Sequence, residues 1–165
     1  MARPNGSAAV HQVYVLRMDD LDIALRNTTY GLFVELGRSP TADEMAGRAG
    51  MASADVALGW QRLHDAHALV LYPGTNELRM ANPFAARPTP YRVHADGRSW
   101  YANCAWDAFG ICAALHTDGR IETACADCGD EITVRVEARQ SIAENDVFFH
   151  CLVPASQWWD DIVFS

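Results

Sequence analysis

The chain contains no lysine: all 13 of its Lys and Arg positions are arginine, against 21 Asp and Glu, for a formal net charge of -8 over 165 residues. Affinity for nucleic acid rests largely on cations that neutralise phosphates, so this balance disfavours a DNA or RNA partner. The abundance of alanine beside arginine fits a GC-rich, bacterial coding sequence. Also missing is any apolar run near the roughly 18–20 residues that cross a bilayer. Residues 1–9 lack the apolar centre of a signal peptide. A cytoplasmic protein with no membrane partner is therefore expected. Repeats and low-complexity tracts are absent, and five cysteines form an odd set without an export signal. That favours thiols used for metal or catalysis over a disulfide framework. With half its residues apolar and 21% charged, the chain has the composition of a globular protein that buries a core.

Residues 1–19 carry Pro, Gly and Ser without periodicity early on and read as a loose arm. From Asp20, apolar Leu21, Leu25, Leu32 and Leu36 recur at helical spacing up to Gly37. Thr41 with Glu44 three residues on is a capping box for a second helix ending near Gly50. Ser53 is the expected N-cap of a third, striped by Val56, Trp60 and Leu63. The extended runs of LVLYPGTNELRM then flank Pro73, Gly74 and Asn76, a hairpin composition. Three helices and a hairpin make a winged-helix-like module over 20–83. Its third helix offers Ser53, Asp55, Gln61 and Arg62, a thin supply of phosphate contacts, so a scaffold or lid role is favoured over DNA binding.

Three prolines in residues 82–90 predict a linker, with the domain boundary near Phe84 and a second domain over 84–165. Tyr91–His94 and Arg98–Ala102 flank Asp96-Gly97, a two-residue hairpin signal. Residues 105–115 read as a helix that starts at Cys104, and Arg120–Ala124, Ile132–Ala138 and Val147–Val153 as strands. The class is α+β, with a small mixed sheet in the back half.

Cys104 stands at a helix start, where unpaired amides and the helix dipole favour a thiolate. Asp107, three residues later, projects to the same end and face, where a carboxylate could take the thiol proton and return it to a leaving group. The pair is expected to show a partly accessible sulfur turned toward the carboxylate. The same spacing also fits a buried structural cysteine beside a helix-start charge. Cys125 and Cys128, in CADCG, resemble half of a zinc knuckle and should lie on a tight turn between strands, able to share one soft metal ion. No second CxxC exists, so Cys104, His116, His150 or Cys151 would have to complete a zinc site; a redox pair or two unlinked thiols fit as well. Cys112 reads as core, His64 and His67 as surface. The two tryptophans of WWDDIVFS either close over a ligand or, the favoured reading, pack the C-terminus onto the sheet.

Taken whole, RSWYANCAWDAFGI, residues 98–111, resembles the active-site motif of the alkylmercury (organomercurial) lyase family. The resemblance runs thinly over 20–165 and implies a winged-helix-like region before a lyase-type catalytic core. It implies that Cys104 and Asp107 are two of three catalytic groups and that Cys125 matches a structural family cysteine, whereas Cys128 has no counterpart in the best-known lyases. The family's second catalytic cysteine follows the segment resembling WWDDIVFS, and the sequence stops at Ser165. The expectation is a chain that continues or one that has lost this thiol, with Cys151 or Cys128 as candidate substitutes. The implied reaction is protonolysis of a carbon–mercury bond, with Cys104 as nucleophile and mercury ligand, Asp107 as proton shuttle, and mercury(II) as the product ion on sulfur. No organic cofactor is implied; the expected partner is a small organomercurial or another soft-metal or thiol ligand. Two rival functions fit the same residues: a noncatalytic metal- or thiol-sensing winged-helix regulator, and a lyase-fold enzyme turned to a substrate without mercury.

Overall fold

The computed structural model describes residues 18–143, 147–148, 151 and 153–162. The arm expected over 1–19 falls outside these residues apart from Met18 and Asp19, as does His150. Helix α1, Asp20–Leu36, begins where the Asp19 carboxylate accepts the Asp22 amide at 2.8 Å. It ends at Gly37, whose φ of 68° suits the left-handed cap that glycine adopts without a Cβ penalty. Helix α2, Ala42–Ala49, carries the complete capping box of Thr41 and Glu44. Helix α3, Ser53–Asp65, departs from expectation at its start: Ala52 is the N-cap and Ser53 the first helical residue. The Ser53 hydroxyl donates instead to the Asp43 carboxylate on α2, a charged acceptor that outcompetes a backbone cap.

The apolar faces of the three helices meet around Leu25, Leu32, Phe33, Met45, Val56, Trp60 and Leu63, all almost wholly buried. Leu21, counted with the α1 stripe, is 52% exposed, and Phe33 takes the inward place. One polar chain is built into this packing: the Trp60 indole donates to the Thr29 hydroxyl at 3.0 Å, and that hydroxyl donates to the Leu25 carbonyl at 2.8 Å. Such satisfaction removes the cost of burying an indole N–H and a hydroxyl. Arg62 turns back to the buried Asp22 carboxylate of α1 at 2.7 Å.

Eight strands follow among the described residues: β1 Val70–Leu71, β2 Leu78–Ala81, β3 Phe84–Ala85, β4 Tyr91–Ala95, β5 Arg98–Ala102, β6 Gly119–Ala124, β7 Glu131–Glu137 and β8 Gln140–Ala143. They form one sheet in the order β1-β2-β3-β5-β4-β6-β7-β8. The α+β class holds, while every pairing is antiparallel where a mixed sheet was expected. The reason is connectivity: tight turns at Asp96-Gly97 and at Ala138-Arg139, all with positive φ, return the chain at once to the neighbouring strand. The strand expected over 147–153 is a second correction, since Val147, Phe148, Cys151 and Val153 lie in no strand and β8 pairs with β7 instead. Among the described residues no helix is long and apolar enough to cross a membrane.

The proline-rich stretch over 82–90 also differs from a plain linker. It contains β3, which bridges β2 to β5, and Phe84 packs on Phe33 with ring centroids 5.8 Å apart and edge-on to Trp100 at 6.2 Å. The Trp100 indole donates to the Phe33 carbonyl at 3.0 Å. Front and back halves thus share a sheet and a core.

Helix α4, Ala105–Leu115, connects β5 to β6 and packs on β4, β5 and β6. Because both strands run antiparallel to β4, β5 and β6 leave the sheet at the same edge, two strand spacings or roughly 9–10 Å apart. The helix lies close to its surroundings at two points, its middle and its last turn. A Cβ on Gly110 would stand 3.1 Å from the Pro83 Cβ, and one on Gly119 would meet the buried Cys112 sulfur at 2.7 Å and the His94 carbonyl at 3.0 Å. Gly119→Ala should therefore cost about 1–3 kcal/mol through overpacking. Urea denaturation should show a lower midpoint, and an unchanged midpoint would mean that α4 withdraws from the sheet without strain.

Candidate active site

Strand β5 feeds the chain into α4 at Cys104, which is the N-cap residue with extended backbone, φ -148° and ψ 179°. The helix is under way one turn later, where the Ala108 amide donates to the Cys104 carbonyl at 3.0 Å. Asp107 occupies the first turn, and its carboxylate is in side-chain contact with the Cys104 thiol. The structure thus brings the two residues together. The amides of Asp107 and Trp106 also bear on the sulfur, although neither makes a full capping hydrogen bond.

The protonation state differs from the thiolate expected for a helix start. Burial pushes the Cys104 thiol up; the amides of Asp107 and Trp106 pull the other way, but the Asp107 charge adds to the rise. Burial likewise raises the Asp107 carboxyl, with the Asn103 amide and the Cys104 thiol partly offsetting it. Asn103 donates to the Asp107 Oδ2 at 3.2 Å. The resting pair is a thiol held against a carboxylate in partly desolvated surroundings, so a proton is stored where the reaction would use it.

Around this pair lies a cavity of about 30 Å3 lined by Met80, Asn82, Asn103, Cys104, Asp107, Trp158 and Ile162. Its walls come from both halves of the chain. Tyr30 of α1 donates to the Asn82 carbonyl at 3.0 Å; burial raises its phenol, Arg26 opposes the rise, and the Asp107 charge adds a smaller increment. The 3-10 helical segment Ala155–Asp161 brings Trp158 across the cavity, with its ring edge-on to Trp106 at 6.2 Å. Trp159 stacks on His67 at the end of α3, centroids 4.1 Å apart and planes 6° apart. The tryptophan tail therefore both packs on the front half and walls the Cys104 cavity.

A larger cleft of about 630 Å3 opens at the opposite end of α4, lined among others by Cys112, His116, Asp118 and Ser141. It excludes both Cys104 and Asp107, and the smaller cavity is the better candidate because a thiol and a carboxylate converge there. Cys112 is buried, as expected of a core residue. Cys125 and Cys128 share the turn between β6 and β7, whereas Cys128 and Cys151 are both exposed and neither lines the Cys104 cavity. Among the described residues no three His, Cys, Asp or Glu side chains converge to hold a metal, so Cys104, Cys125, Cys128 and Cys151 do not form one ligand set.

Sequence reasoning did not find Asn103, Asn82, Met80, Tyr30 or Ile162. Asn103 had a signal, since residues four apart meet at a helix start as Asn103 and Asp107 do here. Asn82, Met80 and Ile162 reach the cavity, and Tyr30 holds its Asn82 wall, through tertiary packing.

If Asp107 holds the thiol protonated by its charge, Asp107→Asn should lower the pH midpoint of Cys104 alkylation by iodoacetamide, followed by peptide mass spectrometry. The sign follows from removing a negative charge that penalises the thiolate. A midpoint that stays or rises would show that the two groups do not titrate as neighbours.

Residues 84–164 match the family model of MerB, alkylmercury lyase. The crystal structure of the mercury-bound form of MerB2 matches with a TM-score of 0.61 at 20% identity, covering 78% of this chain and 62% of that one. The chain thus spans 62% of that neighbour's length, and the likeness establishes a shared fold. No curated protein matches the chain significantly. The matched segment contains α4, its Cys104 and Asp107, and most of the sheet. The match over the back half makes this chain similar to the alkylmercury lyase family across residues 84–164.

Proposed function

We propose that the chain is an organomercurial lyase-like protein in which Cys104 ligates the mercury of a small organomercurial and Asp107 carries a proton from that thiol to the departing carbon. The observation that supports this most is the half-buried thiol in contact with a half-buried carboxylate at the start of α4. A soft cation displaces a thiol proton readily, and the neighbouring carboxylate is the acceptor in reach. The sulfur–mercury bond forms as the thiol proton passes to Asp107 and the ligand opposite carbon on mercury, a solution thiolate, departs. The carbon–mercury bond then breaks with its electron pair on carbon, which takes the same proton and leaves as hydrocarbon. Mercury stays in the +2 state throughout and remains on sulfur, where a second thiol would complete its coordination. That thiol is absent from the cavity lining among the described residues, and a free thiol in solution can fill its place in an assay.

The front half is better suited to walling this site than to reading DNA. Arg62, the arginine of the presumed recognition helix, is paired with Asp22, and Tyr30 and His67 face the back half. The net charge of -8 adds to the case against phosphate binding. Salt-sensitive binding to a defined duplex would favour the regulator instead.

Methane released anaerobically from methylmercury, with excess free thiol, is the direct test. We expect slow turnover by the chain as given, retention of methylmercury by Asp107→Asn with methane release reduced by ~100-fold or more, and no retention by Cys104→Ala. Asp107→Asn working at the parent rate would sink the proton-shuttle role. Turnover of a substrate without mercury, with none of methylmercury, would point to a diverted enzyme.

A further inference from the structure

The turn between β6 and β7 places two thiols outside the chemistry described above. Its backbone closes twice: the Cys125 amide donates to the Asp130 carbonyl at 2.8 Å, and the Gly129 amide donates to the Cys125 carbonyl at 3.0 Å. Gly129 has φ 78°, a left-handed conformation that lets the chain turn away directly after Cys128. Inside this turn the amides of Cys128 and Asp127 point at the Cys125 sulfur, the Asp130 amide points at the Cys128 sulfur, and each thiol contacts the other. Convergent N–H groups stabilise charge on sulfur without placing a carbon wall around it.

We propose that Cys125 and Cys128 form a second thiol site on this chain, a chelating pair that takes one soft cation of linear, two-sulfur coordination, with mercury(II) as its ligand. The donor set decides the class of ion. Zinc in a structural site takes four ligands in a tetrahedron, and among the described residues no three His, Cys, Asp or Glu side chains converge here, the Asp130 side chain meeting Cys128 alone. Thiolate donors select soft ions over magnesium or calcium, and mercury(II) is satisfied by two sulfurs. Binding releases the thiol protons to solvent while neither sulfur nor mercury changes oxidation state.

The site also lies at the sheet edge from which β5 enters Cys104, with one strand between. Capture of mercury(II) by the turn does not depend on carbon–mercury cleavage at Cys104, and its test is made with that site silenced. The full chain carrying Cys104→Ala, reduced and freed of reductant, is titrated with mercuric chloride in excess glutathione. Intact-mass spectrometry and sulfur–mercury charge-transfer absorbance give the outcome. One mercury per chain should be retained, and adding Cys125→Ser or Cys128→Ser should each weaken retention about 100-fold, since a lone thiol loses the effective concentration of its neighbour. Cys151→Ala should retain the ion as the parent does, and far-UV circular dichroism should show each variant folded. Retention unchanged in either serine variant, loss in Cys151→Ala, or one mercury shared by two chains would overturn the proposal. Methane release, measured separately on the unsubstituted chain, tests Cys104 and leaves this result unaffected.

Discussion

Helix α4 meets the rest of the molecule at two close approaches, and the candidate site depends on both. At Gly110 the helix lies against Pro83, the neighbour of the cavity residue Asn82. Below its far end, Gly119 lets Cys112 press onto β6 and the β4 backbone. Between them Ala108, Ile111 and Cys112 are buried in the common core. Cys104 and Asp107 occupy the start of this helix, so its seating decides what they face. Interiors are close-packed, and a shift of even part of a side chain at either glycine would carry the thiol away from the cavity wall.

The two thiol sites show how one local device gives opposite outcomes. Both Cys104 and Cys125 have backbone amides directed at sulfur, which favours the thiolate. At Cys104 burial and the Asp107 charge oppose the amides and prevail, leaving a protonated thiol. In the open β6–β7 turn the amides prevail and the Cys125 thiol falls. The amides and helix dipole at a helix start typically contribute about 0.3–1 kcal/mol, while desolvation of a buried charge can reach several pKa units. A stored proton suits a site that must protonate carbon, and a more acidic thiol suits one that only has to hold a cation.

The three N-terminal helices contribute more than a separate module would. Phe84, at the expected boundary, joins the rings of Phe33 and Trp100, and β3 carries hydrogen bonding from the front hairpin into the back sheet. Tyr30 holds the Asn82 loop, and His67 receives Trp159 from the tail that crosses the cavity. Walls drawn from sequence-distant elements exclude water from a thiol–carboxylate pair more fully than a helix start alone can. That exclusion is what raises both groups.

What the sequence by itself determined was whatever a few neighbouring residues control. The Thr41–Glu44 capping box, the Asp96-Gly97 hairpin, the start of α4 at Cys104, its contact with Asp107 and the CADCG turn each follow from spacings of two to four residues. Tertiary structure decided the rest. Ser53 left its cap for Asp43, Val147, Phe148, Cys151 and Val153 stayed out of the sheet while β8 paired with β7, and the proline-rich stretch became part of the core through Phe84. It also decided that Cys104 is a thiol and that Tyr30, Asn82 and Trp158 stand around it. The division has one physical cause: backbone geometry fixes short-range contacts within a turn of the chain, whereas burial, and with it protonation, is a sum over atoms that only the folded chain brings near.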